Sequence, residues 1–288
     1  MHRTFDPLPI FATAKTGIAS NAGELRRYPE KEEWMKSNLG ERLGQLEEYA
    51  KTLVQALRVL DERRHILEPL LQDQELKSAL AEKLRSSKGA HAYNHLVPWL
   101  AQDLVRDLSR LYLDEGKRSG SLINLYRKAS EPKMFEALRK RFREIPCKWY
   151  ENGAGFDEMP PELAAEMLSK MREDQCQEFE KSFDEGWKRV SDYIQKIGTD
   201  VVSEKLKTFR NKYHAHLEMS PLGEDPGPFD VSGLGLKYND ILNFSDNYIE
   251  AAFELNRIIS GTIYDTDRFS ELHREYGYSM WRVLAGLE

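Results

Sequence analysis

The sequence predicts an all-α protein, and three observations carry that expectation. Apolar residues recur at three-, four- and seven-residue spacings along most of the chain, the period of a helix face. No stretch alternates apolar and polar residues convincingly enough for a strand. The breaks between periodic stretches fall at Gly, Pro, Ser and Asp, which stop or cap helices. With 288 residues, 40% of them apolar and 31% charged, the chain is long enough for an ample core.

Residues 1–33 contain Pro7, Pro9, Gly17, Gly23 and Pro29 and read as an irregular arm; residues 34–288 read as one helical domain. The first helix carries Leu43, Leu46, Leu53, Leu57 and Leu60 on one stripe. Leu67, Leu70 and Leu71, then Leu76, Leu80 and Leu84, continue it in shorter pieces, and Ser86–Gly89 ends the run. A second strong helix spans His95 to Tyr112, with Leu96, Trp99, Leu100, Leu104, Leu108 and Leu111 along one face. Gly116–Ser121 is a basic turn in which Ser121 caps the helix holding Leu122, Leu125 and Tyr126. Residues 133–145 form another amphipathic segment, and Cys147 to Pro161 is the clearest interior loop. A charged helix then runs from Glu162 to about Lys196, with Phe179, Phe183, Trp187 and Val190 on its apolar side. Gly198-Thr199-Asp200 interrupts it, and Thr199 or Asp200 caps a helix over about 200–218. A Gly- and Pro-rich loop over 219–236 and two helices within 237–288 complete the chain, giving seven to nine helices.

A net charge of -6 argues against wholesale coating of nucleic acid while leaving room for a local basic cleft. Cys147 and Cys176 have no metal-ligand spacing and form no disulfide framework, so a reduced, cytoplasmic setting is expected. No run of 18 apolar residues is present, so no membrane contact is expected. His91 and His95 stand four apart with no third ligand nearby, and neither a metal nor a cofactor is expected.

The chemistry concentrates in Phe209-Arg210-Asn211-Lys212-Tyr213-His214-Ala215-His216. An Arg followed by four to six residues and then a His is a weak signal, since Arg58 with His65, Arg85 with His91 and Arg268 with His273 have it too. The 210–216 pair adds a carboxamide directly after the Arg and sits late in a capped, amphipathic helix. At 100° per residue, Val202, Leu206, Phe209, Tyr213 and Leu217 form one stripe, with Arg210 and His216 about 60° to either side of its centre. Two copies of such a helix packed about a two-fold axis bring both residues into one cleft, so this geometry calls for a dimer or for an equivalent helix elsewhere in the chain. A His with a pKa near 6.5 can move a proton at an RNA 2′-OH or 5′-oxygen. Arg offers a planar charged fork for the phosphate, and Asn211 can orient either group.

The Arg-Asn-Lys-Tyr-His-Ala-His segment resembles the Arg-x(4–6)-His motif of HEPN-domain ribonucleases. Trp99 through Leu111, followed by a basic loop and another helix, resembles the AbiU-like abortive-infection branch of that superfamily. The likeness covers roughly residues 40–265 and is specific only at 210–216. It implies a HEPN-like helical bundle with additional N- and C-terminal helices. It also implies a dimeric, metal-independent RNA endonuclease of a phage-defence or toxin–antitoxin system, acting on an RNA substrate. Carried onto this chain, Arg210, Asn211 and His216 are catalytic, and His214, Lys207 and Lys212 lie where they can contact substrate. An antitoxin or other defence-system protein is a further expected partner. The other reading is a non-catalytic helical interaction or sensor module. The basic residues Lys117, Arg118, Arg127, Lys128, Lys133, Arg139, Lys140, Arg141 and Arg143 read as a solvated face sooner than as a phosphate-binding one.

Overall fold

A computed structural model describes residues 38–150, 160–214, 219 and 230–288, the side chains of Tyr150 and His214 excepted. The expected arm over 1–33 and most of the two expected loops lie outside the described residues. Among the described residues there are nine α-helices and no β-strand element, so the chain is all-α and consistent with a HEPN-like helical bundle.

The mast of the bundle is α1, Leu39–Gln72, a single helix of 34 residues. Asn38 caps it by accepting from the Gly40 N–H at 2.9 Å. Its face of Leu46, Leu53, Val54, Leu57, Leu60, Leu67 and Leu70 is at most 3% exposed. Each such side chain contributes on the order of 1.5–3 kcal/mol by leaving water. The sequence suggested a break after Leu60, because Asp61-Glu62-Arg63-Arg64-His65 interrupts the leucine stripe. The helix instead continues, because Asp61, Arg64 and His65 are themselves buried: Asp61 and Arg64 meet polar partners from other helices, and His65 pairs with Glu68 one turn on.

Short α2, Gln74–Leu84, is capped by Asp73. It lies beside α3, Gly89–Leu108, which begins six residues earlier than the periodicity suggested. Trp99 is 69% exposed and stands off the buried face assigned to it. At Ser109 the helix passes into a π-helical turn, Ser109–Leu113, whose i→i+5 bonding fits an extra residue into the turn. Ser121 caps α4, Leu122–Ala129, as its sequence position suggested. Helix α5, Pro132–Arg143, starts with Pro, whose missing N–H costs nothing there. A 3-10 turn, Ile145–Tyr150, follows.

The longest helix, α6, is Pro161–Thr199. Its C-terminal part meets α5 through a ring cluster of Phe135, Phe142, Phe179, Phe183 and Trp187. From Pro161 to Gln175 it buries no residue. Helix α7, Val201–Phe209, leads into a second π-helical turn, Arg210–His214. A 3-10 turn at Val231–Leu234 precedes α8, Tyr238–Ser260, and α9, Thr266–Ala285, closes the chain. Both α8 and α9 end at glycines in the left-handed conformation, Gly261 and Gly286.

Helices α8 and α9 pack on α1. The α1–α9 seam has a specific origin. Pro69 lies inside α1 and has no N–H to give the His65 carbonyl. Gly277 of α9 sits against that carbonyl, where a Cβ would overlap the oxygen. One turn on, the Trp281 indole donates to the Ile66 carbonyl at 2.7 Å. Beside this contact Asp61 accepts from the Ser270 hydroxyl at 3.0 Å and lies 2.9 Å from His273 Nδ1. Arg64 pairs with Asp246, and His65 Nδ1 lies 2.8 Å from Glu68. The hydrogen bond from His65 holds the Glu68 carboxyl below the usual range. His65 and His273, each half of an Arg–His pair in sequence, are therefore pieces of a buried polar seam.

Candidate functional site

Asp200 starts the segment that carries the motif. One of its oxygens accepts the Val202 N–H at 2.8 Å and caps α7. The other accepts the Tyr248 hydroxyl of α8 at 2.8 Å. Burial and this bond to a carboxylate push the Tyr248 hydroxyl up to about 12. The entry of α7 is thus pinned to the bundle. Ser203, Leu206 and Phe209 form its buried face.

The uniform 100° construction stops at Phe209. From Arg210 the chain follows π-helical geometry, with more residues per turn than the 3.6 of an α-helix. Tyr213, placed on the apolar stripe by α-helical counting, is 36% exposed, although its ring stays 5.1 Å from that of Phe209. The stripe position that α-helical counting gives Tyr213 therefore does not carry over. His216 itself lies outside the described residues, and His214 ends the π turn.

Ser109, fully buried at the start of the first π turn, touches α7. Its hydroxyl is 2.9 Å from the Val105 carbonyl and 3.0 Å from the Leu206 carbonyl, one proton facing two acceptors. Leu206 also receives the Arg210 N–H. The two π turns therefore meet at one serine, which supplies a donor where helical bonding changes register.

Arg210 is half-buried. Its Nε donates to Asn211 Oδ1 at 3.1 Å, and its Nη1 lies 3.6 Å from Asp114 Oδ1, an ion pair longer than a hydrogen bond. Asp114 is fixed in turn: its carboxylate accepts the Gly116 N–H at 3.1 Å, and its carbonyl accepts the Ser121 hydroxyl. Lys207 reaches Glu115 at 3.2 Å and Glu204 at 3.5 Å. Asp114-Glu115 thus answers Arg210 and Lys207. Asn211 is exposed and Lys212 half-buried. Of the expected site residues, the structure brings together Arg210, Asn211 and Lys207. It adds Ser109, Asp114 and Glu115, which pattern reading missed because nothing local marks a residue that meets Arg210 from 96 positions away.

Lys133 and Lys140 of α5 are exposed, as a solvated face requires, but its three arginines are partnered across helices. Arg139 pairs with Glu180 and Asp184 at 2.7 Å each, and Arg143 with Glu173 at 2.7 Å and Glu180 at 3.3 Å, all on α6. Arg141 reaches Glu47 at 3.0 Å and also bonds the Ile259 carbonyl. These cations hold helices together. His91 and His95 have ring centroids 4.7 Å apart, and among the described residues no three His, Cys, Asp or Glu side chains are grouped to hold a metal ion. Among the described residues no helix is long and apolar enough to cross a membrane.

The described residues form an all-α bundle consistent with the HEPN class. A family profile described as AbiU2, of the HEPN superfamily, matches residues 36–277. The chain belongs to this AbiU2 family, an abortive-infection, defence-related branch of HEPN proteins. No curated protein and no solved structure matches it.

Proposed function

We propose that the protein is a metal-independent endoribonuclease of a phage-defence or toxin–antitoxin system, acting as a homodimer. Its composite site uses Arg210, Asn211 and His216 from each chain. The observation that carries the reading is the Arg210-Asn211-x(4)-His216 sequence, whose Arg210 and Asn211 lie on a π turn, within the family match.

In this reading one His216 imidazole takes the proton of an RNA 2′-OH as that oxygen attacks phosphorus. The bond from phosphorus to the 5′-oxygen breaks, and a protonated imidazole from the other chain gives the leaving oxygen its proton. The products are a 2′,3′-cyclic phosphate and a 5′-hydroxyl. Arg210 pairs with the non-bridging oxygens and stabilises the charge they gain in the transition state. Asn211, which already accepts from Arg210 Nε, fixes the fork. Lys207, Lys212 and His214 contact flanking phosphates.

The test is cleavage of total RNA and a labelled oligonucleotide in EDTA, with wild type, Arg210→Ala and His216→Ala side by side. Cleavage by wild type leaving cyclic-phosphate ends, with at least a hundredfold loss in each variant, is the expected result. His216→Ala cleaving at the wild-type rate, or a wild-type chain that stays monomeric while cleaving, sinks the composite site.

A second reading is a non-catalytic HEPN interaction or sensor module, favoured by the Asp114 carboxylate beside Arg210. It predicts that Arg210→Ala lowers the melting temperature and that any cellular effect follows protein abundance. Under either reading a net charge of -6 suits a basic partner protein, such as an antitoxin.

A further inference from the structure

Twenty-nine residues separate Cys147 from Cys176 in sequence, yet their sulfurs lie 3.3 Å apart. Both are free thiols. Cys147 is half-buried on the 3-10 turn Ile145–Tyr150, and Cys176, only 3% exposed, is the first buried residue of α6. The contact joins the end of the α5 region to the long helix. On the same side the Trp149 ring meets Phe179 edge-on at 5.4 Å, so the turn is already packed on the helix.

We infer that Cys147 and Cys176 are an oxidative modification site: a dithiol that closes reversibly to an intramolecular disulfide and staples the 3-10 turn to α6. Three features support this. A disulfide bond is about 2.05 Å long, so closure needs the sulfurs to approach by about 1.2 Å. One thiol is reachable and the other is not, which sets the order of events. Arg143, one helical turn before Cys147 and paired with Glu173 and Glu180, acts on the Cys176 thiol with a positive charge that partly offsets the burial raising it.

Burial, and then the hydrogen bond and charge of Cys147, push the Cys176 thiol up to about 11. Cys176 is therefore not the first nucleophile. The Cys147 thiolate attacks one sulfur of a low-molecular-weight disulfide, forming a mixed disulfide and releasing one thiolate. The hydrogen bond and charge of Cys147 are then gone from Cys176, which loses its proton more easily. Its thiolate attacks the Cys147 sulfur and displaces the second small thiolate. The protein gives up two protons and two electrons, and the oxidant becomes two thiols. In a reducing compartment the pair rests as thiols, and a thiol reductant reverses the closure.

The experiment treats the folded, full-length protein with oxidised glutathione, then unfolds it, alkylates it and weighs it. Wild type should take up no alkyl group, weigh two hydrogens less, and melt several degrees higher until dithiothreitol restores the starting value. Cys176→Ser should stop at a single glutathione adduct on Cys147, and Cys147→Ser should leave Cys176 unmodified while folded. Because Cys176 is buried, the Cys147→Ser variant and wild type carry the test if Cys176→Ser misfolds. Wild type that keeps two alkylatable thiols, gains two adducts or cross-links between chains overturns the inference. None of these readouts depends on RNA cleavage.

Discussion

Arg210 shows how much one side chain owes to residues far away in sequence. Its guanidinium stands between Asn211, which orients it, and Asp114, which offsets its charge. Asp114 is held by its own turn, through the Gly116 N–H and the Ser121 hydroxyl, so it stays put whether or not Arg210 is engaged elsewhere. A phosphate arriving at Arg210 must share the cation with that carboxylate. Asp114→Asn keeps the acceptor for Gly116 and removes the charge. A partly exposed ion pair is worth about 0.2–1 kcal/mol, so RNA affinity should rise up to about fivefold. Under the proposed function, fluorescence anisotropy in a His216→Ala background measures this. Unchanged or weaker binding would show that Arg210 does not meet phosphate.

Elements in this bundle are fixed less by propensity than by what touches their irregular points. The polar run inside α1 persists as helix because Asp246, Ser270 and His273 meet it. The gap left by Pro69 is filled by the bare backbone of Gly277. Gly277→Ala drives a methyl into the His65 carbonyl, and neither backbone can yield without parting α1 from α9. The expected loss is at the upper end of about 1–3 kcal/mol, read as a melting temperature lower by several degrees. An unchanged melting temperature would mean the two helices slide apart at no cost. The same reasoning applies to the motif: α7 holds its direction through Asp200, and the π turn after it through Ser109.

At the scale of the whole molecule, ion pairs join distant helices. Three half-buried carboxylates have lowered pKa values: Glu68, Glu254 and Glu47. Glu254 is pushed up by burial, but its bonds and charge interactions with Arg257 and Arg189 outweigh that; for Glu47, Lys51 and Arg141 outweigh burial. For Glu68 the hydrogen bond from His65 is the largest cause. A carboxylate lowered in the folded state binds protons more readily when unfolded. Its stabilisation is full above the ordinary value of 4.5 and is lost as pH falls through the folded value. Thermal melts from pH 7 to 3 should therefore decline steeply below about pH 4.5. Glu254→Gln should lower stability near neutrality and flatten that decline. A decline as steep in the variant as in wild type would assign the acid sensitivity elsewhere.

The apolar period by itself determined the all-α class and most helix positions, and residue type marked the cap at Ser121 and narrowed the next to Thr199 or Asp200, because these depend on residues within a turn of one another. The motif at Arg210 and Asn211 was legible for the same reason. Only tertiary structure decided that α1 runs unbroken, that the α5 arginines pair with α6, α1 and α8, that Asp114 answers Arg210, and that two cysteines touch. Each of these pairs residues far apart in the chain, and no local spacing records such a meeting. The change from α to π geometry at Arg210 belongs with them, since the register is set where Ser109 of one helix end reaches the Leu206 carbonyl of another.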